Sequence, residues 1–324
     1  MIRRAASYLA VWAMGALIGS LAVPTFAAFS SSASSSGNRY VTATDWTPPS
    51  VTSAVIAKSA GGVPGYIKQG GTYHVYALVS DTGNPASGTS SVTANVSNVT
   101  SGSASVAMSS GSFTIGGVTY NYRSAQLTAD AGLTHGAKTF SITATDGASN
   151  SATVSGYSVS VDNVVPAGTD IQTQNTSGGT NGHAELGDRI VYTYTEQMEP
   201  ASILAGWSGS STNVVVRINN NTINDVVQIW NSSNSTQLAL GQINTQGNYV
   251  KGDVTFGASG TPSTITQSGA TITITLGTVS NTSDINTNSL DTLLWTPSAA
   301  STDRAGNPCD VQTVTELGVL DPDF

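Results

Sequence analysis

Short runs of alternating apolar and polar residues, each closed by a turn signal, constrain this chain more than any other feature. In residues 72–79, Tyr73, Val75, Ala77 and Val79 fall on one face and Thr72, His74 and Tyr76 on the other. That two-residue period is the mark of a half-buried strand. Asp81-Thr82-Gly83-Asn84-Pro85 follows, a cluster of residue types that closes a strand in a turn. The same grammar predicts strands over 51–56, 91–96, 112–122, 139–145 and 152–161, and again over 185–194, 213–218 and 271–279. One helical turn is expected, at 199–204, where Pro200 stands at a helix start.

Composition agrees with strands and turns. Charged residues make up only 9% of the 324, and Gly reaches 34, which leaves Ser, Thr and Asn to form the polar surface. The chain is long enough for about two domains of ordinary size. It carries one cysteine, Cys309, so no intrachain disulfide can form, and that thiol reads as a small residue beside a turn.

The N-terminus has the pattern of a signal peptide. Arg3 and Arg4 supply a positive start, the stretch 8–23 is apolar and uncharged, and Thr25-Phe26-Ala27 offers small residues for cleavage after Ala27. Residues 28–47 then form a Ser-rich lead-in, which cannot bury enough apolar surface to fold alone. The net charge is -8, and removing a leader that carries two arginines takes it to -10. Such acidity disfavours nucleic acid and anionic membrane as partners, because both need a basic footprint. No sorting motif or hydrophobic tail is expected at the C-terminus, so no membrane contact is expected after cleavage.

The strand pattern occurs twice. Lys68-Gln69-Gly70-Gly71-Thr72-Tyr73 matches Glu185-Leu186-Gly187-Asp188-Arg189-Ile190 in layout, and Thr145-Asp146-Gly147-Ala148-Ser149-Asn150 matches Thr302-Asp303-Arg304-Ala305-Gly306-Asn307. The shared Thr-Asp-x-Ala-x-Asn reads as a hairpin turn near the end of each unit. About seven short strands in some 115 residues is the count of an immunoglobulin-like sandwich. The expectation is therefore an all-β protein with two tandem immunoglobulin-like β-sandwich domains after a signal peptide, the first over 48–163 and the second over 164–324. Asn/Ser-rich stretches near 219–221, 231–235 and 281–288 lengthen the second domain as long loops or extra hairpins.

Two resemblances sharpen this. Thr25-Phe26-Ala27-Ala28-Phe29-Ser30, with the Ser/Ala stretch and Gly37-Asn38 and Ala43 after it, resembles the export region of biofilm-matrix and camelysin-type proteins. That resemblance implies dedicated processing and a destination in fibres or on the cell surface. The phrase Gly187-Asp188-Arg189-Ile190-Val191-Tyr192-Thr193-Tyr194-Thr195-Glu196-Gln197-Met198-Glu199-Pro200, together with Asp303-Arg304-Ala305-Gly306-Asn307, is similar to bacterial Ig-like repeats of surface and adhesion proteins. The first domain departs from it at Gly147 and Ser149.

Catalytic parts are sparse. His74, His135 and His183 each lack a local nucleophile, and there is no Gly-x-Ser-x-Gly elbow, His-x-x-x-His or phosphate loop. Glu185, Asp188, Glu196 and Glu199 cluster in sequence, and paired carboxylates do serve glycosidases, but a solvated strand edge explains them as well. Asp162, Asn163 and Asp170 flank the linker with oxygen ligands and are the candidates for calcium, which wants roughly six to eight such ligands. Trp207, Trp230 and Trp295 are candidates for stacking on sugar, against packing in a core or under loops. The functional expectation is a secreted or cell-surface structural or adhesive protein without catalytic activity and without a required cofactor. Its partners would be other surface proteins, copies of itself or cell-wall glycan. The alternative is an extracellular carbohydrate-binding protein that uses the loops of the second domain.

Overall fold

In the computed structural model, residues 45–288, 291–318 and 324 are described, with the backbone alone at 34–35, 38–39, 290 and 321–322. The expected signal peptide and most of the Ser-rich segment lie outside the described residues. The protein is nearly all β, with a nine-stranded sheet inside residues 50–161 and a ten-stranded sheet inside residues 168–315. Each sheet wraps into a sandwich- or barrel-like body around its own apolar core. No helix among the described residues is long and apolar enough to cross a membrane.

In the first body the strands run in the order Ser50–Lys58, Thr72–Ser80, Val118–Ser124, Val106–Ile115, Thr89–Asn95, Gly136–Asp146, Ser151–Val161 and Tyr66–Ile67, the last pair parallel. The alternation in residues 72–79 works as expected on one face, where Tyr73, Val75, Ala77 and Val79 are buried. The other face is not simply solvated. Tyr76 is also buried, with its ring against Tyr120 and Phe113 at centroid distances of 6.0 and 6.2 Å. The single strand expected over 112–122 is a hairpin instead. Its turn is Gly116-Gly117, at φ 57° and 79°, left-handed values that glycine adopts without steric cost.

In the second body the helical turn is present as Pro200–Ile203, with proline in its first turn. The Asn/Ser stretch at 231–235 is a tight hairpin between Val226–Asn231 and Gln237–Asn244, where Asn231 Oδ1 accepts hydrogen bonds from the Ser235 and Thr236 amides. Trp295 lies fully buried between Tyr192 and Tyr194, with ring centroids 5.1 and 5.0 Å away and its Nε1–H donating to Leu240 O at 2.7 Å. Phe324 packs its ring on Tyr249 at 5.5 Å.

Candidate functional site

The repeated Thr-Asp-x-Ala-x-Asn turn is held in each body by hydrogen bonds of its own Asp and Asn. In the first body Asn150 N donates to Asp146 Oδ1 at 2.8 Å, while Asn150 Nδ2 donates to Asp146 Oδ2 at 2.8 Å and to the Asp45 carbonyl at 2.9 Å. In the second body Asn307 N donates to Asp303 Oδ1 at 2.8 Å, and Asn307 Nδ2 donates to Asp303 Oδ2 at 2.7 Å and to the Asp162 carbonyl at 3.0 Å. The two clamps are the same device. An Asp–Asn pair locks the turn and holds the chain entering the body by its backbone.

Each clamp carries a cluster of three carboxylates. Asp45, Asp81 and Asp146 each place an oxygen within 4.8 Å of the others, and Asp162, Glu196 and Asp303 do the same. The correspondence runs further along the sequence. Asp45-x-x-x-Pro49 repeats as Asp162-x-x-x-Pro166, and Asp81-x-x-Asn84-Pro85 repeats as Glu196-x-x-Glu199-Pro200. Asn84 thus stands in the place of Glu199, and Gly147 in the place of Arg304.

The second cluster is the junction between the bodies. Lys58 Nζ from the first body meets Glu199 Oε2 at 2.7 Å, with side-chain exposures of 12% and 5%. It also donates to the Arg304 carbonyl at 2.6 Å. The Val63 amide donates to the same Glu199 oxygen at 2.8 Å, and Lys68 Nζ donates to the Gly306 carbonyl at 2.6 Å. The Arg304 guanidinium lies 4.0 Å above the centre of the Tyr66 ring. Gly62 stands against Glu199 and Lys58 so closely that a Cβ there would collide with both, and its φ of 89° is a left-handed value.

Burial and the carboxylates of Asp162 and Asp303 push Glu196 up to about 7, against a pull downward from Arg304. In the first cluster, a hydrogen bond from the Thr47 amide, with others from Ser87, holds Asp45 below the usual carboxylate range against the opposing effect of burial.

The residues singled out in sequence divide between these places and others. Asp162 belongs to the junction cluster. Asn163 ties the linker to the first body, accepting from the Gln69 amide at 2.9 Å and donating to the Leu133 carbonyl at 2.8 Å. Asp170 lies elsewhere, its Oδ1 accepting from the Ile171, Gln172 and Leu317 nitrogens. Glu196 and Glu199 stand at one end of the strand Arg189–Tyr194, and Glu185 and Asp188 at the other. A six-residue strand spans about 20 Å, so these four do not form one site.

Trp295 is in the core and Trp207 is buried, with its Nε1–H on the Ser210 carbonyl at 2.6 Å. Trp230 carries the Arg217 guanidinium 3.6 Å above its ring. The exposed tryptophan among the described residues is Trp46, next to Asp45. Asp45 and Asp81 are the residues that the motifs do not single out, and the paired Asp-x-x-x-Pro and acid-x-x-x-Pro phrases are the signal for them. No protein-family model matches the sequence, and no curated protein matches it.

Proposed function

We propose that this chain is a secreted or cell-surface structural or adhesive protein, non-catalytic, whose two immunoglobulin-like sandwiches act as a stiff spacer in an extracellular matrix, a fibre or an adhesin. The junction carries this reading. Lys58, Val63 and Lys68 of the first body reach directly into the acidic end of the second, and an ion pair shielded from water on both sides resists rotation far better than an exposed one. Tandem modules on unfixed linkers move freely by default. A junction of this kind sets their angle, which is the property a spacer needs.

The strand order supports the immunoglobulin-like assignment. Ser50–Lys58, Thr72–Ser80, Val118–Ser124 and Val106–Ile115 follow the order A-B-E-D, and Thr89–Asn95, Gly136–Asp146 and Ser151–Val161 follow C-F-G. Export follows from the N-terminal sequence, and cleavage after Ala27 releases a chain that begins at Ala28.

Small-angle scattering of the full mature chain tests the spacer reading. One narrow distribution of radii is expected, broadening in Lys58→Ala with both bodies still folded. Equal breadth in the two proteins, or a broad distribution in the unmutated one, rejects it.

A further inference from the structure

The end of the second body that faces away from the junction carries a cleft of about 270 Å³. Leu186, Val279 and Ile285 form its apolar wall, and His183, Glu185 and Thr282 its polar side. The two loops that make it are tied together and to themselves. The Asn288 amide donates to the Gly182 carbonyl at 2.8 Å, His183 Nδ1 lies 3.3 Å from Thr287 Oγ1, and the Ile285 amide closes a short turn on the Thr282 carbonyl at 3.3 Å. A cleft already formed spends little ordering entropy on a ligand.

The matching turn of the first body shows what folding such a turn requires. There Gln69 stands in the place of Leu186, and Lys68 in the place of Glu185. Leu186 is 52% exposed, so the core does not depend on it, and its apolar surface serves the cleft. Glu185 Oε1 accepts the Thr180 amide, and among the described residues Oε2 has no protein partner. The neighbouring Asp188 is already filled by the Thr176 and Glu185 amides at 2.8 and 2.7 Å. Among the described residues no lysine or arginine lines the cleft. Such a lining repels an anion and leaves a carboxylate oxygen for a hydroxyl donor.

From these features we propose that the cleft binds one ring of a neutral N-acetylated amino sugar. The sugar hydroxyls donate to Glu185 and exchange hydrogen bonds with His183 and Thr282, while the acetamido methyl packs on Leu186, Val279 and Ile285. The aliphatic wall selects the acetamido group. A plain hexose would turn a hydroxyl toward that wall and leave it without a partner, and a sugar acid would bring its carboxylate against Glu185.

Saturation-transfer NMR of the full mature chain with N-acetylglucosamine tests the site, independently of the spacer reading that scattering decides. A single ring binds weakly, so the sugar is supplied at about 10 mM. The strongest transfer is expected on the acetamido methyl, with glucose and glucuronate each about tenfold weaker. That comparison needs no variant. Leu186→Gln, a change at an exposed position to the first body's residue, is expected to remove the methyl signal and leave Tm in place. No transfer to N-acetylglucosamine, equal transfer to glucose or glucuronate, transfer to N-methylacetamide as strong as to the sugar, or a methyl signal that survives Leu186→Gln overturns the assignment.

Discussion

The acidic end of the first body and the acidic end of the second share a clamp and differ in what they face. Both fix an Asp–Asn turn, both grip the incoming chain by its Asp45 or Asp162 carbonyl, and both gather three carboxylates. Among the described residues, only the second adds Glu199 and Arg304, and only the second receives lysines from a neighbouring body. What the two ends share therefore belongs to folding a module of this type. What they do not share belongs to joining one module to the next.

The largest effect expected from breaking that comparison falls on the joining residues. Lys58→Ala strips the ammonium from Glu199, a carboxylate only 4% exposed, and losing one partner of a shielded pair costs about 3 kcal/mol. Urea unfolding of the full chain measures it, and Glu199→Gln in the same background should recover much of the loss. Asn307→Ala and Asn150→Ala come next. Each removes two side-chain hydrogen bonds, worth about 2 kcal/mol where buried acceptors are left bare. Because the clamp belongs to the module and not to the joint, the two losses should agree to within about 1 kcal/mol, and a large inequality would show the clamp to be part of the joint after all.

A third effect depends on pH. In the unfolded chain Glu196 releases its proton near 4.5, but in the folded one only at about 7. Across that window the folded state binds more protons, so stability falls as pH rises through it and levels off above it. Glu196→Gln keeps the hydrogen-bonding shape and removes the titration, so the difference in Tm between the two proteins should grow from pH 4.5 to 7 in favour of the glutamine. A difference that stays flat across the window would mean Glu196 is ionised throughout and the second cluster already neutralised.

The sequence exposes some of this comparison and conceals the rest for a physical reason. Alternation reports which strand face is apolar, so Tyr73, Val75 and their neighbours are legible. It cannot report that a second apolar layer will cover Tyr76, because that depends on the hairpin at Gly116-Gly117. The Asp–Asn turn is local and was visible as a repeat. The carboxylates it gathers come from three separate segments, as Asp45, Asp81 and Asp146 illustrate, and only the strand order of the folded body brings them together. Proximity in sequence misleads in the opposite direction, since Glu185 and Glu199 are separated by the length of a strand.

The smallest expected effect lies within the clamp itself, at a position where the two turns use different residues. Gly306 and Ser149 both precede the clamping asparagine and both take left-handed backbone, at φ 93° and 73°. Glycine enters that region freely, whereas a Cβ there costs about 1–2 kcal/mol. Serine keeps part of that loss even with a favourable neighbourhood, and glycine gives some back through the greater freedom of its unfolded chain. Ser149→Gly should therefore stabilise the first body by about 0.5–1 kcal/mol, seen as a rise in Tm. Gly306→Ser should destabilise the second body by a similar amount. If the two substitutions fail to move stability in opposite directions, the turns are not equivalent, and the carboxylate clusters they support cannot be compared residue by residue.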